Sequence, residues 1–210
     1  MTEIITASVT AVISAAAFLK LSIIRESDRD DNRRVLRFFV SLAVFMVCDL
    51  AAAFTVKEGG VFRILNTSVI SNFIFLLAVI DFRHRVIPNL YIAGALVLRT
   101  ALILVQGLAE HALLSVFLRS AVGLAAGFII LAIVSVISGK GLGAGDVKMF
   151  AVTGYFLGLY GVIDVLIYST FFCAVCGIIL IISKKCGVKD CIPMAPFVFA
   201  GLLLYIFTGM

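Results

Sequence analysis

Apolar residues occupy the chain in long runs broken by charge or by Gly and Pro, at 3–24, 36–56, 62–80, 89–107, 112–138, 147–162, 163–183 and 192–208. A helix crossing the ~30 Å hydrocarbon core needs ~20 such residues, and only helices or closed barrels satisfy their backbone groups in lipid. The pattern therefore predicts an all-α, polytopic membrane helix bundle of about eight transmembrane helices. With short connectors these spans use almost the whole of residues 1–210, which predicts one membrane domain, 1–60 forming two accessory first spans and 62–208 a core. The boundary between the sixth and seventh spans, around Leu159-Tyr160-Gly161-Val162, rests on glycine and length alone, so a seven-span chain is the alternative.

Composition removes the other classes. Hydrophobic residues make up 63% of the chain and charged residues 14%, with a mean hydropathy of +1.21. A soluble domain is excluded, and 18 Phe at so low a charge density exclude a disordered one. The net charge of +5 is topological and does not call for nucleic acid. Of 17 Lys and Arg, twelve fall in alternate connectors: Arg25, Arg29, Arg33, Arg34, Arg37, Arg83, Arg85, Lys140, Lys148, Lys184, Lys185 and Lys189. Positive charge is retained inside, so these connectors are expected to face the cytoplasm and both termini to face outward. Eight spans fit this distribution better than seven, because merging spans six and seven would put the Lys184 to Lys189 cluster outside. Met1 to Ile5 carry no basic residue, so the first run is expected to be an uncleaved span.

Acids set in or against a bilayer are costly unless they pair or line a wet cavity. Asp49, Asp81, Asp146 and Asp164 qualify, although exposure at the outer end of span seven accounts for Asp164. Asp81 closes span three, just before Arg83, Arg85 and Ile87-Pro88-Asn89, and Asp146 opens span six after Gly141-Leu142-Gly143-Ala144-Gly145. Two crossings separate them, so both carboxylates fall on the cytoplasmic side and meet if their helices are neighbours. The structural alternatives are an ion pair of Asp81 with Arg83 or Arg85, and Asp146 as a helix cap. A cap does not need three glycines in the five positions before it. Such a run leaves backbone open to close approach by an extended peptide. Two carboxylates at hydrogen-bonding distance can work as an aspartic dyad, one holding a proton while the other activates water.

Gly143-Ala144-Gly145-Asp146 continuing as Val147-Lys148, with Asp81 before Arg83 and the Ile87-Pro88-Asn89 turn, resembles the type IV prepilin peptidases. Ile192-Pro193-Met194-Ala195-Pro196-Phe197 looks like the proline-containing segment that opens the last helix in that family. The resemblance covers about 78–200 and implies a membrane aspartyl endopeptidase with Asp81 and Asp146 catalytic. It also implies a prepilin or pseudopilin partner whose basic leader is cut at the cytoplasmic face of the cell membrane. Gly143, Gly145, Lys148 and Pro193 are the expected substrate-binding residues, with snorkelling the alternative for Lys148. The basic site would repel a basic leader unless Asp81, the loop acids and anionic head groups offset it. Bifunctional members of the family carry Cys-x-x-Cys pairs in a long first cytoplasmic loop, tied to amino-terminal methylation. The 25–37 connector has no Cys, which points to peptidase without methyltransferase activity.

No metal or organic cofactor is implied, because two carboxylates and water suffice. Cys173 and Cys176 lie within span seven, and Cys186 and Cys191 in the following loop are too remote for a four-sulfur site unless the helix ends early. Asp49, Arg99 and Arg119 fall at similar depth and are expected to form a buried ion cluster that serves packing. The competing function is a proton- or cation-coupled transporter using the intramembrane Asp residues. No inverted repeat supports it. The presenilin-type intramembrane proteases share Gly-x-Gly-Asp, but their first aspartate follows a Tyr in mid-helix, whereas Asp81 follows Ile80 at the end of its helix.

Overall fold

The computed structural model describes residues 60–138, 143–183 and 193–208. The expected first two spans, the 25–37 connector, Cys48, Asp49, Lys140, Gly141, Cys186 and Cys191 lie outside the described residues. Among the described residues every regular element is a helix: α1 (Gly60–His84), α2 (Asn89–Ala109), α3 (Leu113–Ile137), α4 (Ala144–Ile182) and α5 (Ala195–Thr208). The first four are long and apolar enough to cross a membrane, and α5 is a shorter apolar helix. Their limits follow the expected ones to within a few residues. Pro88 separates α1 from α2, its extended backbone (φ −70°, ψ 131°) placing it before the first helical residue. Only residues 110–112 join α2 to α3, which makes the two antiparallel neighbours.

The described residues fall into two compact units, 60–72 with 206–208, and Phe73–Tyr205. In the first, the opening of α1 carries hydroxyls among its apolar side chains. Thr67 Oγ1 donates to the Arg63 carbonyl at 2.7 Å and Ser71 Oγ to the Ser68 carbonyl at 2.9 Å. Hydroxyls bonded back to their own helix in this way are tolerated where no water reaches.

In the second unit, α3 and α4 pack through small residues. A Cβ on Gly123 would land on the Gly154 carbonyl oxygen, and one on Gly154 would land on the Gly123 carbonyl oxygen. The two backbones therefore touch, which is how helices associate in lipid, where burial of apolar surface supplies little drive.

A straight helix of the 39 residues in α4 would be about 58 Å long, nearly twice the hydrocarbon thickness. It is not straight. Gly158 has φ 78° and ψ −173°, a conformation essentially reserved for glycine. Cys173 beyond the break lies within electrostatic reach of Asp146 in the first turn, which only a doubled-back segment allows. The sequence places this boundary at Leu159 to Val162; the chain turns one residue earlier. The returning limb packs on α5, where a Cβ on Gly201 would come 2.8 Å from the Ser169 nitrogen.

Arg99 of α2 is buried beside this turn. Its Nε donates to the Tyr155 carbonyl at 3.1 Å, its Nη2 donates to Ser120 Oγ at 2.9 Å, and its guanidinium lies 5.6 Å from the Phe156 ring centre. Tyr155 stands in the last turn before the break, where carbonyls lose the N–H donors of a continuing helix. Arg119, expected to join Arg99 in a buried cluster, is exposed. The reason is helical geometry: Ser120 points inward to Arg99, so its neighbour, rotated by about 100°, points elsewhere.

Candidate active site

Asp81 stands one turn before the end of α1, not at its terminus, and is 6% exposed. Beyond it the helix stops because Arg85 adopts a left-handed φ of 51° and Ile87, preceding Pro88, is biased toward extended backbone. The turn then leads directly into α2 at Asn89.

The sequence allows Asp146 as the cap of its helix. The residue that precedes the helix is instead Gly143 (φ −68°, ψ 141°), and Asp146 is the third helical residue. Its carboxylate folds back over Gly143, Oδ2 lying 3.2 Å from where a Cβ on Gly143 would stand. The glycine segment is thus partly helical, with Gly145 and Asp146 inside the first turn. Asp146 lies within electrostatic reach of Asp81, so the two acids expected to meet are brought to one end of this unit.

A third element closes on Asp81. The backbone N–H of Ala195, first residue of α5, donates to Asp81 Oδ2 at 3.1 Å. The amide census of that helix start explains why: Pro196 has no N–H, and Phe197 and Val198 both donate to the Met194 carbonyl, at 3.0 and 3.1 Å. Ala195 requires an outside acceptor, and Asp81 supplies it, placing a carboxylate at the positive end of the α5 dipole.

The remaining expected site residues are placed as follows. Lys148 is exposed, and its Nζ donates to Asn89 Oδ1 at 2.9 Å, which ties the Gly-x-Gly-Asp helix to the Ile-Pro-Asn turn. Gly143 is exposed next to the Asp146 carboxylate, whereas Gly145 is half-buried against Ile87. Pro193 is half-buried two residues before Ala195. Cys173 and Cys176 are free and half-buried, and no group of three or more metal-ligating side chains occurs among the described residues. Sequence alone does not single out Ala195 or Ile87 as site residues. Prolines 193 and 196 did signal a helix start in need of an acceptor, but which acid meets it is decided by packing.

Residues 68–178, just over half of the chain, match the type IV leader peptidase family. The chain belongs to that family. Asp81, the Ile87-Pro88-Asn89 turn, Gly143, Gly145, Asp146 and Lys148 all lie inside the matched residues of this type IV leader peptidase family member, and Pro193 and Ala195 lie beyond them. A curated relative, the prepilin leader peptidase/N-methyltransferase of Bacillus subtilis (strain 168), is 27% identical over 174 residues, covering 83% of this chain and 68% of the relative. No solved structure matches the chain. Family and apolar helices together make this an integral membrane protein of a peptidase family.

Proposed function

We propose that the chain is a membrane aspartyl endopeptidase that removes the basic leader of a prepilin or pseudopilin substrate, with Asp81 and Asp146 as its catalytic pair. The observation that supports this is that Asp81 and Asp146, acids of different helices, lie within electrostatic reach of each other. In this reading the two carboxyls close to hydrogen-bonding distance around substrate and share one proton, as such a pair does not readily carry two charges. The ionised partner takes a proton from water as the oxygen attacks the scissile carbonyl, while the protonated partner donates to the carbonyl oxygen. Collapse of the tetrahedral intermediate then returns a proton to the leaving amine, and the carboxyls exchange roles. No metal or cofactor enters these steps.

The charge distribution supports eight spans with both termini outward and the active site at the cytoplasmic face of the cell membrane. Residues 1–60 are accessory in this scheme. The exposed Gly143 backbone and the exposed Lys148 lie where an extended peptide could run past Asp146, and Pro193 borders the Asp81 side. The N-methyltransferase activity in the relative's name is not carried over, because the 25–37 connector lacks the paired cysteines that the resemblance associates with it.

The decisive experiment is cleavage of a co-expressed prepilin-like substrate, followed by gel shift and amino-terminal sequencing. Wild type is compared with Asp81→Asn and Asp146→Asn at matched membrane levels. Loss in both variants is expected, and mass spectrometry of the wild-type product should find an unmethylated amino terminus. Retained cleavage in either variant would remove that aspartate from the mechanism.

A further inference from the structure

The two glycines that flank Ala144 do different things. A Cβ on Gly143 would come 3.2 Å from Asp146 Oδ2, so its missing side chain leaves room for the carboxylate that folds back over it. A Cβ on Gly145 would instead come 3.0 Å from Cβ and 3.3 Å from Cγ1 and Cδ1 of Ile87. These approaches are closer than ordinary carbon–carbon contact, which is optimal at ~3.5–4.0 Å. Ile87 cannot rotate out of the way, since its Cβ is set by the backbone and that backbone is restricted by Pro88. Two residues further along the same turn, Asn89 accepts the hydrogen bond from Lys148. The first turn of α4 is therefore docked at two points, Gly145 on Ile87 and Lys148 on Asn89, with Asp146 between them. The same turn descends directly from the end of α1 that holds Asp81.

We propose that Ile87 is a positioning residue for the aspartate pair: Gly145 is glycine so that the first turn of α4 can close on Ile87, and this contact sets where Asp146 stands against Asp81. The inference rests on the peptidase function proposed above and assigns the small size of Gly145 to an internal contact, not to approach by substrate.

The test is a double-mutant cycle of Gly145→Ala and Ile87→Ala in the full chain, read by steady-state cleavage of a prepilin-like substrate and by thermal unfolding of purified protein in detergent. Gly145→Ala should lower kcat about tenfold or more with KM unchanged, since small displacements of a reacting group carry costs of that order. In the Gly145→Ala/Ile87→Ala variant, which removes the approaches to Cγ1 and Cδ1 but keeps the one to Cβ, part of that loss should be recovered. Melting temperature should follow the same non-additive pattern, falling in Gly145→Ala and rising again in the double variant. Without the Ile87 contact, Ala would raise stability, because it is the better helix former. The proposal is overturned if Gly145→Ala cleaves normally, if it raises KM alone, or if Ile87→Ala rescues neither rate nor stability. A wild type that cleaves no substrate would refute the peptidase function, and the stability cycle would still decide whether Ile87 dictates glycine at 145.

Discussion

The backbone N–H of Ala195 donates to Asp81 Oδ2 at 3.1 Å, across 114 positions of sequence. One side chain thus completes the start of α5 and also lies within electrostatic reach of Asp146. Fold and candidate chemistry share an atom, and substitutions of Asp81 must be separated into the two effects.

Asp81→Asn retains a side-chain oxygen that can accept from Ala195, and its stability should stay within ~1 kcal/mol of wild type, while cleavage is lost. Asp81→Ala removes the acceptor and leaves a buried N–H unpaired, which costs ~1–3 kcal/mol. Thermal unfolding in detergent compares the two, and equal melting temperatures for the Asn and Ala variants would contradict the capping role.

The α3–α4 seam makes a sharper distinction among glycines. Gly123→Ala or Gly154→Ala would drive a Cβ into the facing backbone carbonyl, and overpacking of this kind costs ~1–3 kcal/mol. Gly94, in α2, has nothing within 4 Å of its Cβ position. Gly94→Ala should therefore be neutral or stabilising by up to ~1 kcal/mol. Detergent unfolding curves measured side by side would refute the packing argument if all three variants behaved alike.

At the reversal in α4, Gly158→Ala forces a side chain into a φ of 78° and a ψ of −173°, at a cost of ~1–3 kcal/mol. Arg99→Leu leaves the Tyr155 carbonyl without its donor, with a loss of similar size, ~1–3 kcal/mol. Arg99→Lys should fall between, since one ammonium cannot reproduce the forked contact with both Tyr155 and Ser120. Limited proteolysis in membranes would show earlier cutting in Gly158→Ala and Arg99→Leu, and wild-type resistance in both would rule out a shared role at the turn.

Much of this protein is written locally. Each apolar run in the described region is a helix, because in lipid a single segment can satisfy its own backbone only that way, a barrel needing partner strands, and Pro88, Gly143 and Pro193 mark helix starts through their own restricted or permissive backbones. Asp81 and Asp146 stood out because an acid at a membrane edge is costly and these two flank the unusual glycine and proline segments. That they would share one side followed from counting crossings.

What the sequence could not contain is which groups meet. Arg119 and Ser120 are adjacent letters, yet only Ser120 turns toward Arg99, because helix rotation and packing decide which residue faces inward. The break at Gly158 was visible as a glycine among several, but only the contact with α3 and the return onto α5 select it over Gly161. Local propensity fixes which segments are helices and where they can end. The partners of Ala195, Gly145 and Arg99 depend on how helices distant in sequence lie together, and that is settled by close packing and by the need of each buried donor for an acceptor.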